Sequence, residues 1–316
     1  MTTFLEFEKP IAALQERIEA LEGSAADSDV NVSSEARKLR KKVDSELKRI
    51  YANLSPWQKA QVARHPARPH FSDIAARLFT DFEPLAGDRK FAEDLAIMGG
   101  MARFRGQPVM IMGHEKGRDT AARLKHNFGM GRPEGYRKAV RLMEMADRFN
   151  MPVLSFVDTA GAFPGIEAEE RGAAEALARG TAACLRLEVP MIATITGEGG
   201  SGGALAMAAA NRVLMLEHSF YAVISPEGCA SILWRAGDKA EAAAQAMRIS
   251  AQDLQPLGLI DRIIPEPRGG AHRDANTAID NIGEAIADEL GSFANLDGKD
   301  IKRQRREKYL AMEQAA

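Results

Sequence analysis

The sequence lacks the patterns that mark secreted, membrane-spanning and strongly charged proteins. Its 316 residues include only two cysteines, Cys184 and Cys229, which are too few for a disulfide framework and form no CxxC pair. The apolar runs are shorter than the roughly 18 residues that a membrane span requires. The first residues also lack the charged and then apolar form of a signal peptide. These absences predict a cytoplasmic protein whose two thiols are structural.

The charge balance removes a further class of partner. The formal net charge is −2, so no overall field favours binding to nucleic acid or to a membrane surface. Hydrophobic residues make up 45% of the chain and charged residues 27%, proportions that are typical of a globular protein with a large core. The length predicts one large domain with appendages, or two domains.

Amphipathic helices are predicted in the first 65 residues. Apolar residues recur at helical spacing over residues 7–21 and 39–54, and the small and polar residues 23–34 separate the two stripes. Ser55 and Pro56 are typical of the cap and first residue of another helix. Each apolar stripe needs a partner surface, which is either the rest of the chain or another subunit.

An internal repeat dominates the middle of the chain. Residues 151–157 and 189–195 are apolar runs typical of buried strands, and each leads into a turn that contains glycine. Gly161 in the first turn and Gly199 in the second are 38 residues apart. An alanine-rich helix over residues 169–187 joins the two strands, which are therefore expected to be parallel. Both turns then leave the same carboxyl edge of one sheet, where ligands bind.

Further elements follow from periodicity and turn residues. We expect a β-hairpin over residues 96–112, with its turn at Arg105-Gly106-Gln107, and a solvated charged helix over residues 300–308. The other predicted elements are helices over residues 134–149, 204–210, 230–234 and 239–247, and strands over residues 212–216, 220–224 and 259–264.

The glycine run of residues 197–203 (GEGGSGG) is predicted to be a loop between a strand and a helix, and its spacing fits more than one function. Gly197, Gly199 and Gly202 match a dinucleotide-binding fingerprint, and Glu217 follows 20 residues later as a candidate ribose-binding acid. This interpretation predicts an NAD-dependent oxidoreductase. Against it, the fingerprint lies late in the chain and the helix that follows is very short.

The same run also fits a nucleophile elbow. Ser201 between Gly199 and Gly203 would be the nucleophile, and Asp261 and His272 would be the acid and base of a hydrolase. Nothing else in the sequence marks His272 as a base. A phosphate-binding P-loop is excluded because no lysine follows the last glycine.

A third interpretation assigns the chemistry to the main chain. Gly202 and Gly203 fall at the start of the helix, where unpaired N–H groups and the helix dipole favour negative charge. The neighbouring turn of residues 158–165 (DTAGAFPG) offers further N–H groups. The glycine run would then form an oxyanion hole. The structural alternative is that both segments are tight turns that merely need glycine.

These segments also carry a resemblance to a known family. The chain is similar, in one order from the first helix to about His272, to the alpha subunit of the bacterial acetyl-coenzyme A carboxylase carboxyltransferase. Stretches of this length do not match by chance. The matching stretches are residues 57–66 (WQKAQVARHP), 85–89 (LAGDR), 127–139 (NFGMGRPEGYRKA), 158–165, 168–172 (AEERG), 197–205 (GEGGSGGAL), 223–234 (VISPEGCASILW) and 264–272 (IPEPRGGAH).

The resemblance implies an α/β fold of the crotonase type, a spiral of ββα units. It implies transfer of a carboxyl group from N-carboxybiotin, on a biotin carboxyl carrier protein, to acetyl-CoA, giving malonyl-CoA for fatty acid synthesis. In such enzymes a homologous beta subunit shares the site in an α2β2 assembly that works with biotin carboxylase. That subunit carries a zinc ribbon, which this chain lacks, so no metal is expected here. The implied division is an N-terminal helical extension (residues 1–65), a carboxyltransferase domain (66–295) and a charged helical tail (296–316).

The resemblance also implies roles for single residues. The N–H groups of Gly202 and Gly203 map onto the donors for the ureido oxygen of biotin, and valine at either position is expected to abolish transfer without unfolding the protein. The freed biotin nitrogen can take the proton from the acetyl methyl group, so no side-chain base is required. A stand-alone acyl-CoA hydratase or isomerase stays open as an alternative. The residues expected to line the bound ligand are Gly199, Gly200, Gly161 and Ala162.

Other charged residues are expected to be structural. Residues 64–68 (RHPAR) could contact a CoA phosphate, although a solvated or interface patch is the preferred interpretation. Asp158 and Glu198 are expected to accept hydrogen bonds from backbone N–H groups. Residues 169–171 (EER) are expected to form a local ion pair at a helix start, and Glu227 could cap the next helix.

Overall fold

The structure, a computed structural model, describes residues 3–24 and 31–312. Parts of two predicted segments, residues 25–30 of the polar break and 313–316 of the tail, therefore lie outside the described residues. The described strands are β1 (Phe79–Pro84), β2 (Ile97–Phe104), β3 (Gln107–His114), β4 (Val153–Thr159), β5 (Met191–Gly200), β6 (Arg212–Leu216), β7 (Phe220–Ala222) and β8 (Arg262–Ile264).

The helices include every predicted one and several that the sequence did not indicate. None of those described is long and apolar enough to cross a membrane. The α-helices are α1 (Lys9–Ser24), α2 (Asn31–Tyr51), α3 (Pro56–Ala63), α4 (Phe71–Leu78), α5 (Thr120–Lys125), α6 (Pro133–Arg148), α7 (Ile166–Glu170), α8 (Ala173–Arg186), α9 (Ser201–Ala208), α10 (Pro226–Trp234), α11 (Ala240–Met247), α12 (Ala251–Leu254), α13 (Ala275–Gly291) and α14 (Gly298–Met312).

The strands form one mixed sheet with the order β1-β2-β3-β4-β5-β6-β8, and β7 pairs with the far end of β5. The first three strands are antiparallel, and from β3 onward the neighbours are parallel. The predicted parallel pairing of the two repeated strands is confirmed, with Val153 opposite Met191 and Val157 opposite Ile195. The predicted hairpin is also confirmed. Its turn is shorter than expected, because Arg105 and Gly106 both have positive φ and Gln107 already belongs to β3.

Helices cover both faces of the sheet, so the central strands are buried on both sides. Along β4, Val153 and Val157 face the core that contains residues of α6, α8 and α9. Leu154 and Phe156 face the core that contains residues of α4 and α13. This alternation follows from the two-residue period of a strand. Helices packed on both faces of a mixed sheet confirm the predicted α/β class.

Several predicted elements differ in extent, among them the helix that joins the repeated strands and the last strand. The helix expected over residues 169–187 is two helices, α7 and α8, because Gly172 takes a left-handed conformation with φ +79° between them. Such a conformation ends an α-helix and favours glycine. The last strand is reduced to β8, and the residues before it include the turn at Gly258, where φ is +69°.

The apolar stripes of the N-terminal helices are covered within the chain. Ile11 of α1 and Leu39 of α2 are buried together in one apolar cluster. Glu8 is completely buried. Its carboxylate accepts a hydrogen bond from the Tyr51 hydroxyl at 2.9 Å and forms an ion pair with Arg273 at 2.6 Å. The second contact fastens the helices to the other end of the chain. The division into domains stays a prediction.

The charged tail is anchored rather than merely solvated. Arg305 of α14 is completely buried, and its guanidinium donates to the side-chain oxygen of Asn211 and to three backbone carbonyl oxygens. Burial lowers the pKa of Arg305 to about 10. The sequence-based expectation of a solvated helix is therefore wrong on this face of α14, because one basic residue in the charged run satisfies buried acceptors.

Candidate active site

The glycine run is the end of a strand and the start of a helix. β5 continues to Gly200, and residues Glu198, Gly199 and Gly200 pair with β7. α9 then begins at Ser201, whose φ of +51° lets the chain pass directly from strand to helix. The predicted loop is therefore wrong, because β7 supplies backbone partners that override the turn preference of glycine.

The β4–β5 ladder is irregular where the run begins. Val157 pairs with Ile195 and Thr159 pairs with Gly199, so residues 196–198 lie opposite Asp158 alone. The carboxylate of Asp158 accepts the N–H of Glu198 at 2.8 Å and so replaces a missing ladder bond. A β-carbon on Gly197 would lie 2.3 Å from the same oxygen. Glycine is needed here so that the carboxylate can lie over the bulge.

The turn that follows β4 packs directly on the start of α9. A β-carbon on Gly203 would lie 2.6 Å from the nitrogen of Ala162, whereas one on Gly202 would make only an ordinary contact of 3.6 Å with Leu177. Gly203 is accordingly buried and Gly202 is partly open. The two turns from the repeated strands are thus in contact, as their common sheet edge predicts.

The N–H groups of Gly202 and Gly203 are available to a ligand on geometric grounds. They are the second and third residues of α9, and the first N–H groups of a helix have no carbonyl partner within it. Both residues line a cleft of about 760 Å³. Its other lining residues are Arg64, Ala160, Gly161, Ala162, Leu177, Glu198, Ser201, Val223, Ile224, Ser225 and Glu227.

The structure brings together four of the six predicted site residues. Gly161, Ala162, Gly202 and Gly203 share the cleft. Gly199 and Gly200 are instead buried within β5 and do not line the cleft. A β-carbon on Gly199 would lie 2.8 Å from the ring of Tyr221, so its small size serves packing.

A charged cluster lies between the cleft and an adjoining cavity. The Lys116 ammonium lies 2.7 Å from Asp158 and 2.9 Å from Glu198, and Arg64 lies 3.0 Å from the other oxygen of Glu198. Arg64 also pairs with Glu227 at 2.5 Å. Burial alone would lower the pKa of Lys116, but the two carboxylates raise it above its usual value.

Burial would raise the pKa of the Glu227 carboxyl, but the hydrogen bond that it accepts from Arg64 lowers that pKa. Both ends of the cluster are therefore held in their charged forms. Each cation of the cluster lies between carboxylates. The cluster therefore neutralises charges that would otherwise be buried without a partner.

Residues 64–68 do not form a fully solvated patch, because His65 and Arg68 are buried. The alternative of an interface patch stays a prediction. Arg68 is buried and makes a two-pronged ion pair with Glu266, with both N–O distances at 2.8 Å. It also donates to the carbonyl of Thr196 at the start of the bulge. Burial would raise the pKa of Glu266, but Arg68 and His218 hold it at about 2.

Other sequence expectations are only partly met. Asp158 does accept a backbone N–H, whereas the Glu198 side chain binds two cations instead. Arg171 pairs with Glu134 of α6 rather than within residues 169–171, because α6 packs nearer than the local helix turn. Ser225 is the cap of α10, which leaves Glu227 free to pair with Arg64.

The two rival interpretations of the glycine run lose their supporting residues. Ser201 does have the strained backbone of a nucleophile elbow, but Asp261 binds the N–H of Val213 and the ammonium of Lys308. His272 stacks on His65 with ring centroids 3.9 Å apart. No fingerprint loop exists, because Gly197 and Gly199 belong to β5. Glu217, the candidate ribose-binding acid, accepts the N–H of Glu266 instead.

The sequence reasoning missed Lys116. It lies two residues beyond β3, at the same carboxyl edge as the turns after β4 and β5. Polar residues after all three parallel strands, rather than after two, were the available signal. Among the described residues, no group of three or more His, Cys, Asp or Glu side chains is placed to hold a metal ion.

Comparison with known proteins identifies the family of the chain. A sequence model of the acetyl co-enzyme A carboxylase carboxyltransferase-like family matches residues 4–313. The chain is 61% identical over 312 residues to the acetyl-coenzyme A carboxylase carboxyl transferase subunit alpha of Rhizorhabdus wittichii, covering 99% of this chain and 100% of that protein. The same subunit of Sphingopyxis alaskensis is 59% identical over 315 residues and is covered completely, as is this chain.

Solved structures with this fold are more distant in sequence. Transcarboxylase 12S superposes with a TM-score of 0.59 and 19% identity over 75% of this chain and 44% of that one, so this chain spans less than half its length. A Pseudomonas malonate decarboxylase hetero-tetramer in complex with coenzyme A gives a TM-score of 0.56 at 19% identity, over 69% of this chain and 91% of that one. These structural likenesses confirm the crotonase-type fold that the family resemblance implies.

Proposed function

The chain belongs to the family of acetyl-coenzyme A carboxylase carboxyltransferase alpha subunits, and we propose that its cleft is the half of the active site that receives carboxybiotin. The protein is thus a transferase subunit, and malonyl-CoA is the product of the complete enzyme. The observation that carries the proposed site is the placement of Gly202 and Gly203, the second and third residues of α9, on an open cleft.

These N–H groups suit the charge that develops during transfer. When the carboxyl group leaves carboxybiotin, negative charge appears on the ureido oxygen. Donors that already point at that position stabilise the charge without reorganisation, and losing one such donor costs about 3 kcal/mol in transition-state stabilisation. These N–H groups also lie at the positive end of the helix dipole of α9, which favours negative charge there.

No side chain of the cleft is needed to accept the proton of the acetyl methyl group. The freed biotin nitrogen can accept the proton of the acetyl methyl group, and the acidic groups beside the cleft are already paired. Glu198 lies between Arg64 and Lys116, and Glu227 pairs with Arg64. The cleft therefore contributes donors and position, and close placement of the two reactants supplies much of the remaining rate.

A partner subunit is needed to complete the site. The cleft is open, and the segment beside it exposes large apolar side chains. Val223, which lines the cleft, is 82% exposed, and Ile232, Leu233 and Trp234 at the end of α10 are also exposed. Apolar surface of this kind is typical of a protein interface. It supports a homologous beta subunit, in an α2β2 assembly, as the source of the acetyl-CoA half of the site.

The test compares this chain with its reconstituted complex. We expect the purified chain alone to form no malonyl-CoA from acetyl-CoA and carboxybiotin, and the chain assembled with the zinc-bearing beta subunit to form it. Turnover by the chain alone would contradict the shared site. Absence of turnover in a correctly assembled complex would contradict the proposed function.

Two further measurements separate the rival functions. A flat NAD titration removes the oxidoreductase, and acyl-CoA turnover that needs no biotin would favour a stand-alone hydratase or isomerase. The biotin carboxyl carrier protein can be tested as donor by comparing its carboxylated form with free carboxybiotin in the same complex.

A further inference from the structure

Lys116 joins three neighbouring strands at the edge of the sheet that carries the cleft. It follows β3, while Asp158 belongs to β4 and Glu198 to β5. Its ammonium lies within 3 Å of one oxygen from each carboxylate. The lysine side chain is only 18% exposed, and the two acidic side chains are 12% and 8% exposed. A cation this buried is held by its two partners rather than by water.

The same carboxylate of Asp158 shapes the glycine run. Its Oδ1 accepts both the Lys116 ammonium and the N–H of Glu198, within the bulge that shifts the β4–β5 register. Two residues after Glu198 the strand ends at Gly200, and Gly202 and Gly203 open the helix. The position of the two N–H groups therefore depends on a bulge that is fastened by one carboxylate and one ammonium.

We propose that Lys116 is a positioning residue for carboxyl transfer, which holds Asp158 and Glu198 together and so fixes the Gly202 and Gly203 N–H groups. The inference rests on the proposed function of those two groups. Lys116 lines an adjoining cavity of about 390 Å³ rather than the cleft of Gly202, so it acts through the bulge.

Removal of the ammonium leaves the Asp158 and Glu198 carboxylates without the cation that they share. Protonation of either carboxylate relieves the excess negative charge when the pH is low, whereas at higher pH their repulsion opens the bulge. Arg64 still faces Glu198 from the end of α3, and it pairs with Glu227. The other titratable or charged groups near the cluster are His65, Arg68, His70, His114, Glu115, Arg118 and Arg123.

The test uses the chain assembled with its beta subunit, and it measures kcat for malonyl-CoA formation against pH. We expect Lys116→Met to lower kcat by roughly 10- to 100-fold near neutral and alkaline pH, because small misplacements of a reacting geometry cost about that much. The loss should shrink as the pH falls. The wild-type complex should lack this extra pH dependence, and Lys116→Arg should recover much of the activity.

Two further variants make the outcome decisive. Lys116→Met/Glu198→Gln restores the net charge of the cluster, and we expect it to recover activity relative to the single variant. Lys125→Met, on the exposed face of α5, should behave as wild type. If Lys116→Met does not fold, the charge-balanced variant and Lys116→Arg still give the answer.

The inference is overturned by a Lys116→Met complex with the wild-type kcat and pH profile. It is also overturned if the loss is equal at every pH and the charge-balanced variant does not relieve it. A wild-type complex without activity would instead contradict the proposed function, so the two failures can be told apart.

Discussion

The carbonyl oxygen of Ala160 lies against Gly200, only 2.2 Å from the position that a β-carbon on that glycine would occupy. The turn after β4 therefore rests on the last residue of β5. We expect Gly200→Ala to force these two backbone segments apart and to lower the free energy of unfolding by about 1–3 kcal/mol. Chemical denaturation measures this. Gly202→Ala is the control, since its new methyl group meets nothing closer than 3.6 Å.

Gly202→Val should separate stability from activity. The side chain would project into the open cleft, so we expect a wild-type melting temperature and a loss of malonyl-CoA formation by the assembled complex. Full turnover in the folded variant would argue against ligand binding at this N–H group.

Gly203→Val should behave differently, contrary to the sequence-based expectation that both valines leave the fold intact. A β-carbon there would lie within 2.7 Å of the Ala162 nitrogen and of the Tyr136 hydroxyl. We expect this variant to be destabilised by about 1–3 kcal/mol or more, so only Gly202→Val tests the chemistry. Equal melting temperatures for the two variants would contradict this difference.

Arg305→Met should be one of the most destabilising changes in the tail. It removes the donor for three buried carbonyl oxygens and for Asn211. Each buried acceptor left without a partner costs about 1–3 kcal/mol. Arg303→Met on the same helix is the matched control. Because Arg303 is 64% exposed and its ion pairs are on the surface, we expect a change of at most about 1 kcal/mol.

His272 should make the protein sensitive to acid. Burial is the main cause that lowers its pKa from 6.5 to about 3, and the neighbouring His65, Arg68 and Arg273 add to it. In the unfolded chain the imidazole binds a proton below about pH 6.5, whereas in the folded chain it stays neutral until about pH 3. The stability that it contributes is therefore complete above pH 6.5 and is lost as the pH falls toward 3.

The variant that checks this is His272→Phe, which keeps a ring against His65. Between pH 7 and pH 5 we expect it to lose about 1–2 kcal/mol less stability than the wild type. Denaturant unfolding at both pH values measures the difference. The remaining acid sensitivity comes from other buried histidines, such as His114, whose pKa burial lowers to about 4. An unchanged pH dependence would rule out His272 as a source.

The sequence predicted the centre of the fold because the information there is local. The parallel strands around the repeat, the hairpin at Arg105 and the long helix α6 all follow from apolar periodicity and turn residues. The contact between the two turns could also be anticipated, since parallel neighbours end at one sheet edge. The role of Gly202 and Gly203 was predicted from their place at the start of a helix and from the family resemblance, and it stays a prediction.

The features that could not be predicted from the sequence depend on contacts with residues that are far away along the chain. The first part of the glycine run belongs to β5 because β7 pairs with it, and Arg68 is buried because it meets Glu266 and Thr196. The tail shows the same limit, because nothing in the charged run marks which arginine meets Asn211. Charge patterns predict exposure on average, and tertiary contacts decide individual residues.

The ion pair between Glu8 and Arg273 has a consequence for the order in which a ribosome can complete the molecule. The two residues are 265 positions apart, so at about 5–20 residues per second roughly 10–50 s pass between their synthesis. Arg68 is likewise synthesised well before its ion-pair partner Glu266. During that interval the nascent N-terminal helices are present without their anchor, and the bulge beside Thr196 is present without its support. The sheet edge that carries the cleft is therefore completed only when translation is nearly finished.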